Sequence, residues 1–396
     1  MHIHIFQNGE NLFSVASKYK ISPSRLVEEN QLHYPYNTIA GQSIFISRPN
    51  AIHFAKASDT PEIICDQHHI SYRNFYQYNP GIFGNSRLFP GQNIVISPEQ
   101  SHFGSISIAG YIEEDQAIQP QILPYLTMLT IDGCTINNGN LTIPSIPLLS
   151  NLKKDIMPLL LAGIDGDSIL HNCPSNHVFL QQLVKSISDS KMSGLDIFIK
   201  TPLSISQINA LKCLRTHLKT NNMRLFAHIS SKEWSKNALE YRKIITLADA
   251  VLLRDNCENI GFATWIKYVY NQNNTVQAYV FPSLPCRGFQ CKIERSDEGI
   301  SLPINECFAT ASAQRCSLSR SFETHYAYYD FTAGFGRRKK QYRISFDDAF
   351  SVSLGMLEMN RIGVSGVSVN AAETPVSFLF MLSTYWQIID NTMLTF

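Results

Sequence analysis

Polar and apolar side chains alternate at the start of the chain. The stretch His2 to Phe6 has the period of two that is typical of a strand with one buried face. After a polar turn, apolar residues follow from Leu12 to Tyr19 at spacings of three, one and three, which places them on one side of a helix. The pattern predicts a strand and an amphipathic helix. Because these first residues already fit folded structure, we expect no Sec-type export signal.

The same order of elements occurs a second time. The segment Gly41–Ile46 recurs 50 residues later as Gly91–Ile96, and both begin with a Gly-Gln turn followed by an apolar strand pattern. Ser22 and Ser71 occupy matching positions, where a serine caps a second short helix. Each unit is therefore predicted to fold as strand, helix, helix, strand. We place the two units at residues 1–49 and 50–98.

Beyond Glu99, short apolar runs alternate with helical patterns. This alternation favours parallel strands joined by crossover helices, and residues 102–396 are enough for one (β/α)8 TIM barrel. The predicted barrel strands are Ser105–Gly110, Met128–Ile131, Met157–Leu161, Gly194–Ile199, Arg224–Ile229, Ala250–Leu253, Val276–Phe281 and Gly366–Asn370. A long segment between the last two, about residues 283–345, has its own alternation and predicts an α+β insertion. The predicted fold class is α/β, with two small βααβ domains before the barrel.

The net charge of the chain argues against two classes of binding partner, nucleic acids and anionic membranes. The 396 residues include 33 Lys and Arg against 32 Asp and Glu, a formal net charge of +1. A chain so close to neutral has no overall field to hold nucleic acid or an anionic membrane, and no apolar run approaches the roughly 20 residues that span a bilayer. We expect neither nucleic acid nor membrane as a partner, and we expect a tendency to self-associate.

The cysteines do not have the spacing of a metal site. There are nine, an odd number, so they cannot all pair within one chain. The four between Cys286 and Cys316 lack the paired C-x2-C spacing of zinc ligands, and His68-His69 have no helical metal pattern. We expect no metal and no cofactor. Reduced thiols and disulfides between chains both remain open.

The repeated unit resembles the LysM domain, a module that binds N-acetylglucosamine-containing glycans. The matching positions are Gly9-Glu10-Asn11-Leu12, Ile21-Ser22, Asn30 and Gly41-Gln42 in the first unit, and Asp59-Thr60, Ile70-Ser71, Asn79-Pro80 and Gly91-Gln92 in the second. The resemblance implies a shallow groove between the first strand–helix loop and the loop before the last strand. The glycan-binding residues that it implies are Gly9, Glu10, Asn11, Leu12, Tyr36, Asn37, Ile39, Asp59, Thr60, Pro61, Arg87 and Leu88. Leu12, Ile39 and Leu88 are alternatively core residues.

Local segments of the barrel resemble glycoside hydrolase family 18, the chitinase-like enzymes. These segments are Ile108–Tyr111, Thr142–Pro144 after the Asn138-Gly139 turn, Ile344–Ala349 and Arg361–Val367. Two LysM units ahead of such a barrel resemble the layout of spore cortex-lytic N-acetylglucosaminidases. The resemblance implies that the partner is peptidoglycan or another N-acetylglucosamine polymer.

The catalytic motif of that family is altered in this chain. Family 18 enzymes use the substrate's own acetamide oxygen as nucleophile, and they carry the pattern Asp-Gly-x-Asp-x-Asp-x-Glu on the fourth strand. The matching positions here are Ser193, Asp196, Phe198 and Lys200, so only Asp196 is kept. A lysine with an ordinary pKa of about 10.4 is a poor proton donor near neutral pH. Asn256 and Asn370 also depart from the family residues on two further strands.

These departures predict a barrel with no catalytic residues. We expect a pseudoenzyme of the family 18 type that binds glycan as a structural or scaffolding protein of the spore coat or cortex, made in the cytoplasm without a signal peptide. An active cortex N-acetylglucosaminidase and a lectin-like barrel are the alternatives. If the barrel is active, a displaced carboxyl among Glu113, Glu114, Asp165 and Asp167 is expected to supply the chemistry, because these residues follow strands at the catalytic face.

One dense basic run is present in the predicted insertion. Arg337–Lys340 follow two glycines and precede an alternating stretch, which predicts a solvated hairpin turn. A patch for an anionic glycan or an acidic protein is the alternative interpretation.

Overall fold

The structure is a computed structural model that describes residues 2–32, 38–83, 87–99, 103–171, 177–254, 261–271, 279–334 and 336–389. Its strands are β1 (His2–Ile5), β2 (Ser43–Ile46), β3 (Pro49–Phe54), β4 (Asn93–Pro98), β5 (Ser105–Ile112), β6 (Met128–Ile131), β7 (Thr135–Asn137), β8 (Asn140–Thr142), β9 (Leu159–Asp165), β10 (Gly194–Phe198), β11 (Arg224–Ser230), β12 (Ala250–Arg254), β13 (Val280–Phe281), β14 (Arg287–Lys292), β15 (Arg295–Pro303), β16 (Ser319–Arg320), β17 (Ala327–Ala333), β18 (Lys340–Phe346), β19 (Gly366–Asn370) and β20 (Gln387–Ile388).

Its α-helices lie between these strands. They are α1 (Leu12–Tyr19), α2 (Pro23–Asn30), α3 (Pro61–His68), α4 (Tyr72–Tyr78), α5 (Gly166–Leu170), α6 (His177–Asp189), α7 (Ile205–Thr220), α8 (Ser231–Ile245), α9 (Phe262–Asn271), α10 (Ile304–Ala313), α11 (Ala349–Ile362) and α12 (Val376–Tyr385).

The first repeat (β1 to β2) and the second repeat (β3 to β4) both have the predicted βααβ order. In each, the outer strands pair antiparallel. Asn11, Ser22, Thr60 and Ser71 cap the four helices, each side-chain oxygen accepting a hydrogen bond from a backbone N–H of the first turn. Such a cap stabilises a helix by about 1 kcal/mol. Helices of only two turns depend on these caps and on one buried face.

The barrel consists of parallel strands in the order β13-β12-β11-β10-β9-β6-β5-β19. Its two end strands meet just beyond β13, where the Ser368 N–H donates to the Pro282 carbonyl at 2.9 Å and the Leu284 N–H donates to the Ser368 carbonyl at 2.9 Å. The predicted TIM barrel is thereby confirmed. A short further strand, β20, pairs with β5 outside this ring.

Adjacent strand residues face opposite sides of the barrel wall. Ile108 packs with the helices in the large outer core, whereas its neighbour Ala109 belongs to a small cluster with Met128, Leu161 and Phe226. That small cluster fills the barrel interior, as side-chain layers do in this fold.

One predicted strand was misplaced along the chain. The third barrel strand runs from Leu159 to Asp165 and not from Met157 to Leu161. Met157 belongs to the preceding turn, where its N–H donates to the Lys153 carbonyl. The apolar residues of the turn and of the strand form one continuous run, so the pattern did not mark where the strand begins.

The insertion (residues 287–346) lies between β13 and α11. It is an antiparallel sheet in the order β15-β14-β18-β17-β16, together with α10. The basic run lies at the tight connection between β17 and β18, which contains the 3-10 turn Gly336–Arg338, so the predicted hairpin is confirmed.

Both repeats pack on the rest of the protein. In the first repeat, the Ala40 carbonyl accepts a hydrogen bond from the Leu318 N–H of the insertion at 2.8 Å, and Phe45 meets Phe380 of α12 edge-to-face at 5.6 Å. In the second repeat, the Arg73 guanidinium donates to four carbonyls, those of Pro124, Leu126, Asp155 and Ile156. These contacts fix the two repeats relative to the mouth of the barrel.

Candidate functional site

A cleft of about 890 Å³ opens between the barrel mouth and the insertion. We call it the barrel cleft. Tyr111, Ser230 and Asn370, at the carboxyl ends of three barrel strands, line it together with Arg287 and Phe289 of the insertion. Active sites of TIM barrels lie at this face. The barrel strands and the insertion together therefore shape the candidate site.

Among the residues that the structure describes, three carboxyl groups line the barrel cleft: Glu113, Asp347 and Glu373. Glu373 forms an ion pair with Arg287. The loop that carries Glu373 is held by Asn370, whose side-chain oxygen accepts hydrogen bonds from the N–H groups of Ala372 at 2.8 Å and Glu373 at 3.2 Å. Asn370, one of the positions that departs from family 18, thus orients this wall of the cleft.

The surroundings of Asp347 shift the ionisation of its carboxyl group. Asp347 is half-buried beside Phe262, whose N–H donates to its Oδ1 at 3.1 Å. Burial raises the pKa of Asp347 from 3.8 to about 6, and the neighbouring Asp348 adds to that rise. A carboxylic acid with this pKa keeps its proton in a substantial fraction of molecules at mildly acidic pH.

The altered fourth-strand motif lies mostly beneath the cleft. Asp196 is fully buried, and its carboxylate accepts hydrogen bonds from Thr130 at 2.9 Å, from Arg254 at 2.7 Å and from His228 at 3.0 Å. Burial alone raises the pKa of Asp196, but the charges of His228 and Arg254 hold it well below its usual range. Phe198 stacks on His228 at 4.7 Å. The Asp196 carboxylate is thus a buried structural group that does not line the cleft.

Arg254 connects this buried cluster to the cleft. Its guanidinium pairs with Asp132 and Asp196 and lies 4.3 Å from the ring of Tyr111, which lines the cleft. Lys200, at the family position of the acid, lies outside the barrel cleft and forms an exposed ion pair with Asp165 at 3.1 Å. Ser193 comes directly before β10, where its carbonyl accepts the Arg224 N–H, and Asn256 lies outside the described residues.

Of the four displaced acids predicted from the sequence, Glu113 alone lines the barrel cleft. Glu114 is exposed, Asp165 pairs with Lys200, and Asp167 accepts a hydrogen bond from Gln207. Neither Asp347 nor Glu373 was predicted as a site residue from the sequence. Asp347 directly follows β18, and the last two residues of that strand, Ser345 and Phe346, also line the cleft, so alternation along the strand does not mark Asp347 as a site residue.

In the first repeat, the residues that are predicted to bind glycan lie on two loops that contact each other. Leu12 and Ile39 are buried, as their core interpretation requires. The Glu10 carboxylate contacts His4 Nε2 at 2.9 Å, and its carbonyl accepts a hydrogen bond from Thr38 at 3.3 Å. Gly9 has a positive φ of 83° and Asn11 caps α1. Tyr36 and Asn37 lie outside the described residues.

The second repeat presents the same constellation. Asp59 contacts His53 Nε2 at 2.8 Å, as Glu10 contacts His4 in the first repeat. Thr60 caps α3, which begins with Pro61. Arg87 is exposed and Leu88 is buried. Ligand contact by these residues stays a prediction.

The two Gly-Gln turns have different surroundings. Both glycines have a positive φ, 87° at Gly41 and 84° at Gly91. An added Cβ at Gly41 would collide with the Leu318 carbonyl of the insertion, whereas at Gly91 it would meet nothing within 4 Å. The first repeat is therefore docked by its turn, and the second leaves its turn open.

The described cysteines carry free thiols: Cys65, Cys134, Cys213, Cys286, Cys291, Cys307 and Cys316. Within the same described residues, no group of three or more His, Cys, Asp or Glu side chains has an arrangement that would hold a metal ion. Across the described ranges, no helix combines the length and apolar character needed to cross a membrane.

Comparison with known proteins identifies the repeats and the fold. The LysM domain family matches residues 4–47 and 55–97, so the chain contains two LysM domains, which imply glycan binding. No curated protein sequence is significantly similar to the chain.

Solved structures resemble this chain over most or nearly all of its length. The spore cortex-lytic enzyme SleL of Bacillus megaterium is 15% identical and has a TM-score of 0.69, with 98% of each chain covered. SleL of Bacillus cereus is 14% identical and has a TM-score of 0.68, covering 98% of this chain and 99% of that one. A chitinase from Chromobacterium violaceum is 16% identical and has a TM-score of 0.57, covering 70% and 98%. These likenesses confirm the predicted arrangement of two LysM domains and a chitinase-like barrel.

The prediction that the barrel belongs to a pseudoenzyme is contradicted by these comparisons. The solved structures that share its fold are spore cortex-lytic enzymes and a chitinase. The prediction was drawn from departures on three strands, Phe198 and Lys200 on the fourth and Asn256 and Asn370 on two others. The barrel cleft instead has carboxyls from other segments.

Proposed function

We propose that this protein is a glycosidase that cleaves an N-acetylglucosamine-containing glycan, held by its LysM domains, in the barrel cleft. The observation that carries the proposal is the carboxyl-lined cleft at the barrel mouth, which contains the half-buried Asp347 beside Phe262. The two LysM domains and the arrangement in common with cortex-lytic enzymes favour spore peptidoglycan as the substrate. We further propose that the protein acts at the spore.

Asp347 is the proposed proton donor. With the acetamide oxygen of the substrate as nucleophile, the protein has to protonate the glycosidic oxygen as its bond to the anomeric carbon breaks. A pKa of about 6 matches this role at mildly acidic pH better than that of an exposed carboxyl. Glu113, in the same cleft, is available to orient the water that completes hydrolysis.

The proposal is tested on purified spore cortex peptidoglycan and chitin oligomers, with reducing ends as readout. The unmodified protein is compared with Asp347→Asn, Glu113→Gln and the control Asp167→Asn, whose carboxyl does not line the cleft. We expect Asp347→Asn to lower kcat at least about 100-fold and the control to keep its activity. The absence of products from unmodified protein that still binds the polymer would overturn the proposal.

The proposed location has its own test. A fluorescent fusion expressed in a sporulating Bacillus is expected to collect at the forming spore, and a fusion spread evenly through the mother cell would contradict this location.

A further inference from the structure

A second cleft, of about 770 Å³, lies between the first LysM domain and the body of the protein. We call it the docking cleft. Leu32 and Thr38 of the LysM domain line it, together with Phe308 and Ser312 of α10 and Phe378 of α12. Its volume is within the range of small-molecule sites. The cleft exists because the first LysM domain is docked on the insertion by its Gly-Gln turn.

The docking cleft adjoins the barrel cleft. Glu373 lines both clefts. Three further chain segments pass from one cleft to the other within two or three residues: Gln116 to Gln119, Ser301 to Pro303, and Asp347 to Ala349, the first residue of each pair lining the barrel cleft and the second the docking cleft. Four separate parts of the chain thus form a common wall between two open spaces.

An ion pair stands at this wall. Arg287 pairs with Glu373, and Ser301 accepts hydrogen bonds from the same guanidinium at its side-chain oxygen (2.8 Å) and its carbonyl (3.2 Å). The Asn370 amide holds the backbone of Glu373 from the opposite side. The ion pair is therefore a fixed polar surface on this wall, which we call the Arg287–Glu373 ledge. Both of its charged groups are partly exposed to solvent.

The chemistry of the docking cleft fits a neutral sugar chain. Its described lining contains amide and hydroxyl side chains, such as Asn305 and Ser312, among apolar ones, such as Ile304 and Phe308. Its charged side chains are Glu306 and Glu373, and no lysine, arginine or histidine lies among the described lining residues. Such a surface would repel a polyanion, whereas the hydroxyl groups and C–H faces of a sugar match both kinds of lining.

We propose that one neutral, N-acetylglucosamine-rich glycan strand occupies both clefts at once. The strand lies between the first LysM domain and α10, passes over the Arg287–Glu373 ledge and enters the barrel cleft. The first LysM domain is then part of the substrate site and not only a tether. This inference rests on the proposed function and assigns subsites to it.

The test is a series of chitin oligomers from the dimer to the hexamer. Ala309 is exposed on α10 and lines the docking cleft, so Ala309→Trp fills that cleft without entering the core. Leu239→Trp on α8 is the matched control, because Leu239 is also exposed and lines neither cleft. For the unmodified protein we expect KM to fall as the oligomer lengthens. We expect Ala309→Trp to raise KM for the hexamer about tenfold and the control Leu239→Trp to leave it unchanged.

The outcomes separate the two proposals. If the unmodified protein hydrolyses oligomers but Ala309→Trp keeps the full dependence on chain length, the continuous strand is wrong and the glycosidase assignment stands. If no oligomer is hydrolysed, the binding of the same chitin oligomers, measured by calorimetry, tests the continuous strand. A loss of hexamer affinity in Ala309→Trp alone supports the continuous strand, and equal affinities of both variants overturn it.

Discussion

One arginine bridges the two carboxylates of the buried cluster under the cleft. Arg254 is buried and compensates two carboxylates, Asp132 and Asp196, of which Asp196 has no exposed surface. Burial lowers the pKa of the Arg254 guanidinium, but the two carboxylates outweigh it and raise that pKa overall. Because the charges are buried together, each is stable only while its partners are present.

Arg254→Met is expected to lower the free energy of unfolding by about 3–5 kcal/mol, because it leaves two carboxylates without their cation in a buried site. The matched control is Arg343→Met, whose pair with Asp330 is more than two-fifths exposed on both sides and contributes less than about 1 kcal/mol. Urea unfolding of both variants measures the difference. Equal losses would show that the cluster is not the stabilising unit.

Asp347 gives the protein a predicted pH dependence. Its pKa is raised from 3.8 to about 6, so the folded state binds this proton more tightly than the unfolded state. The resulting stabilisation is complete below pH 3.8 and is lost as the pH rises to 6, above which the buried charge destabilises the fold.

Asp347→Asn should therefore unfold at higher temperature than the unmodified protein at pH 8, and the gain should shrink toward pH 4. Hydrolysis by the unmodified protein should fall as the pH rises past about 6, because the donor loses its proton. Thermal unfolding and initial rates between pH 4 and pH 8 measure both. A gain in stability that is constant with pH would contradict this assignment.

At the scale of elements, the two LysM copies provide an internal comparison. Gly41 and Gly91 occupy equivalent turns with nearly equal backbone angles, but Gly41 alone contacts the insertion. The shared turn is visible in the sequence because it repeats with a period of 50 residues. Its docking is not visible, because Leu318 lies far along the chain and carries no pattern of its own.

Gly91→Ala is expected to destabilise the protein by about 1–2 kcal/mol, the cost of a positive φ for a residue with a Cβ. Gly41→Ala should cost clearly more, since its Cβ also collides with the Leu318 carbonyl. Thermal unfolding of the two variants gives the comparison. Similar losses in both would mean that the first LysM domain is not docked by its turn.

At the scale of the whole molecule, the second LysM domain is held by one buried arginine. Arg73 donates to four barrel carbonyls, and the Tyr125 hydroxyl donates to the Gln77 carbonyl at 2.7 Å across the same contact. The exposed Lys153–Glu62 pair lies between the same two parts. The buried contacts leave carbonyl groups unsatisfied if the arginine is lost.

Arg73→Met is expected to destabilise the contact by about 2 kcal/mol or more and to expose the segment between the second LysM domain and the barrel to protease. Glu62→Gln removes only the exposed pair and is expected to change stability by less than about 1 kcal/mol. Limited chymotrypsin digestion followed by mass spectrometry measures both, because residues 88–152 contain no lysine or arginine at which trypsin could cut. Unchanged cleavage in Arg73→Met would contradict the proposed role of this contact.

The order of elements and the repeat were determined by the sequence itself, whereas the class of ligand was implied by the resemblance to the LysM domain. Their physical basis is local: alternation defines a strand, a spacing of three and four defines a helix face, and Ser22 and Ser71 cap helices that begin beside them. The altered fourth strand was also visible, and Lys200 does lie outside the cleft.

The tertiary structure decided which side chains form the site. Glu113, Asp347 and Glu373 come from three distant segments and line one cleft because the barrel closes and the insertion folds over its mouth. Long-range packing also docks one LysM turn and leaves the other open, although their sequences are alike. Pattern along the chain reports which face of an element is buried, whereas the neighbours across a cleft depend on how the elements assemble.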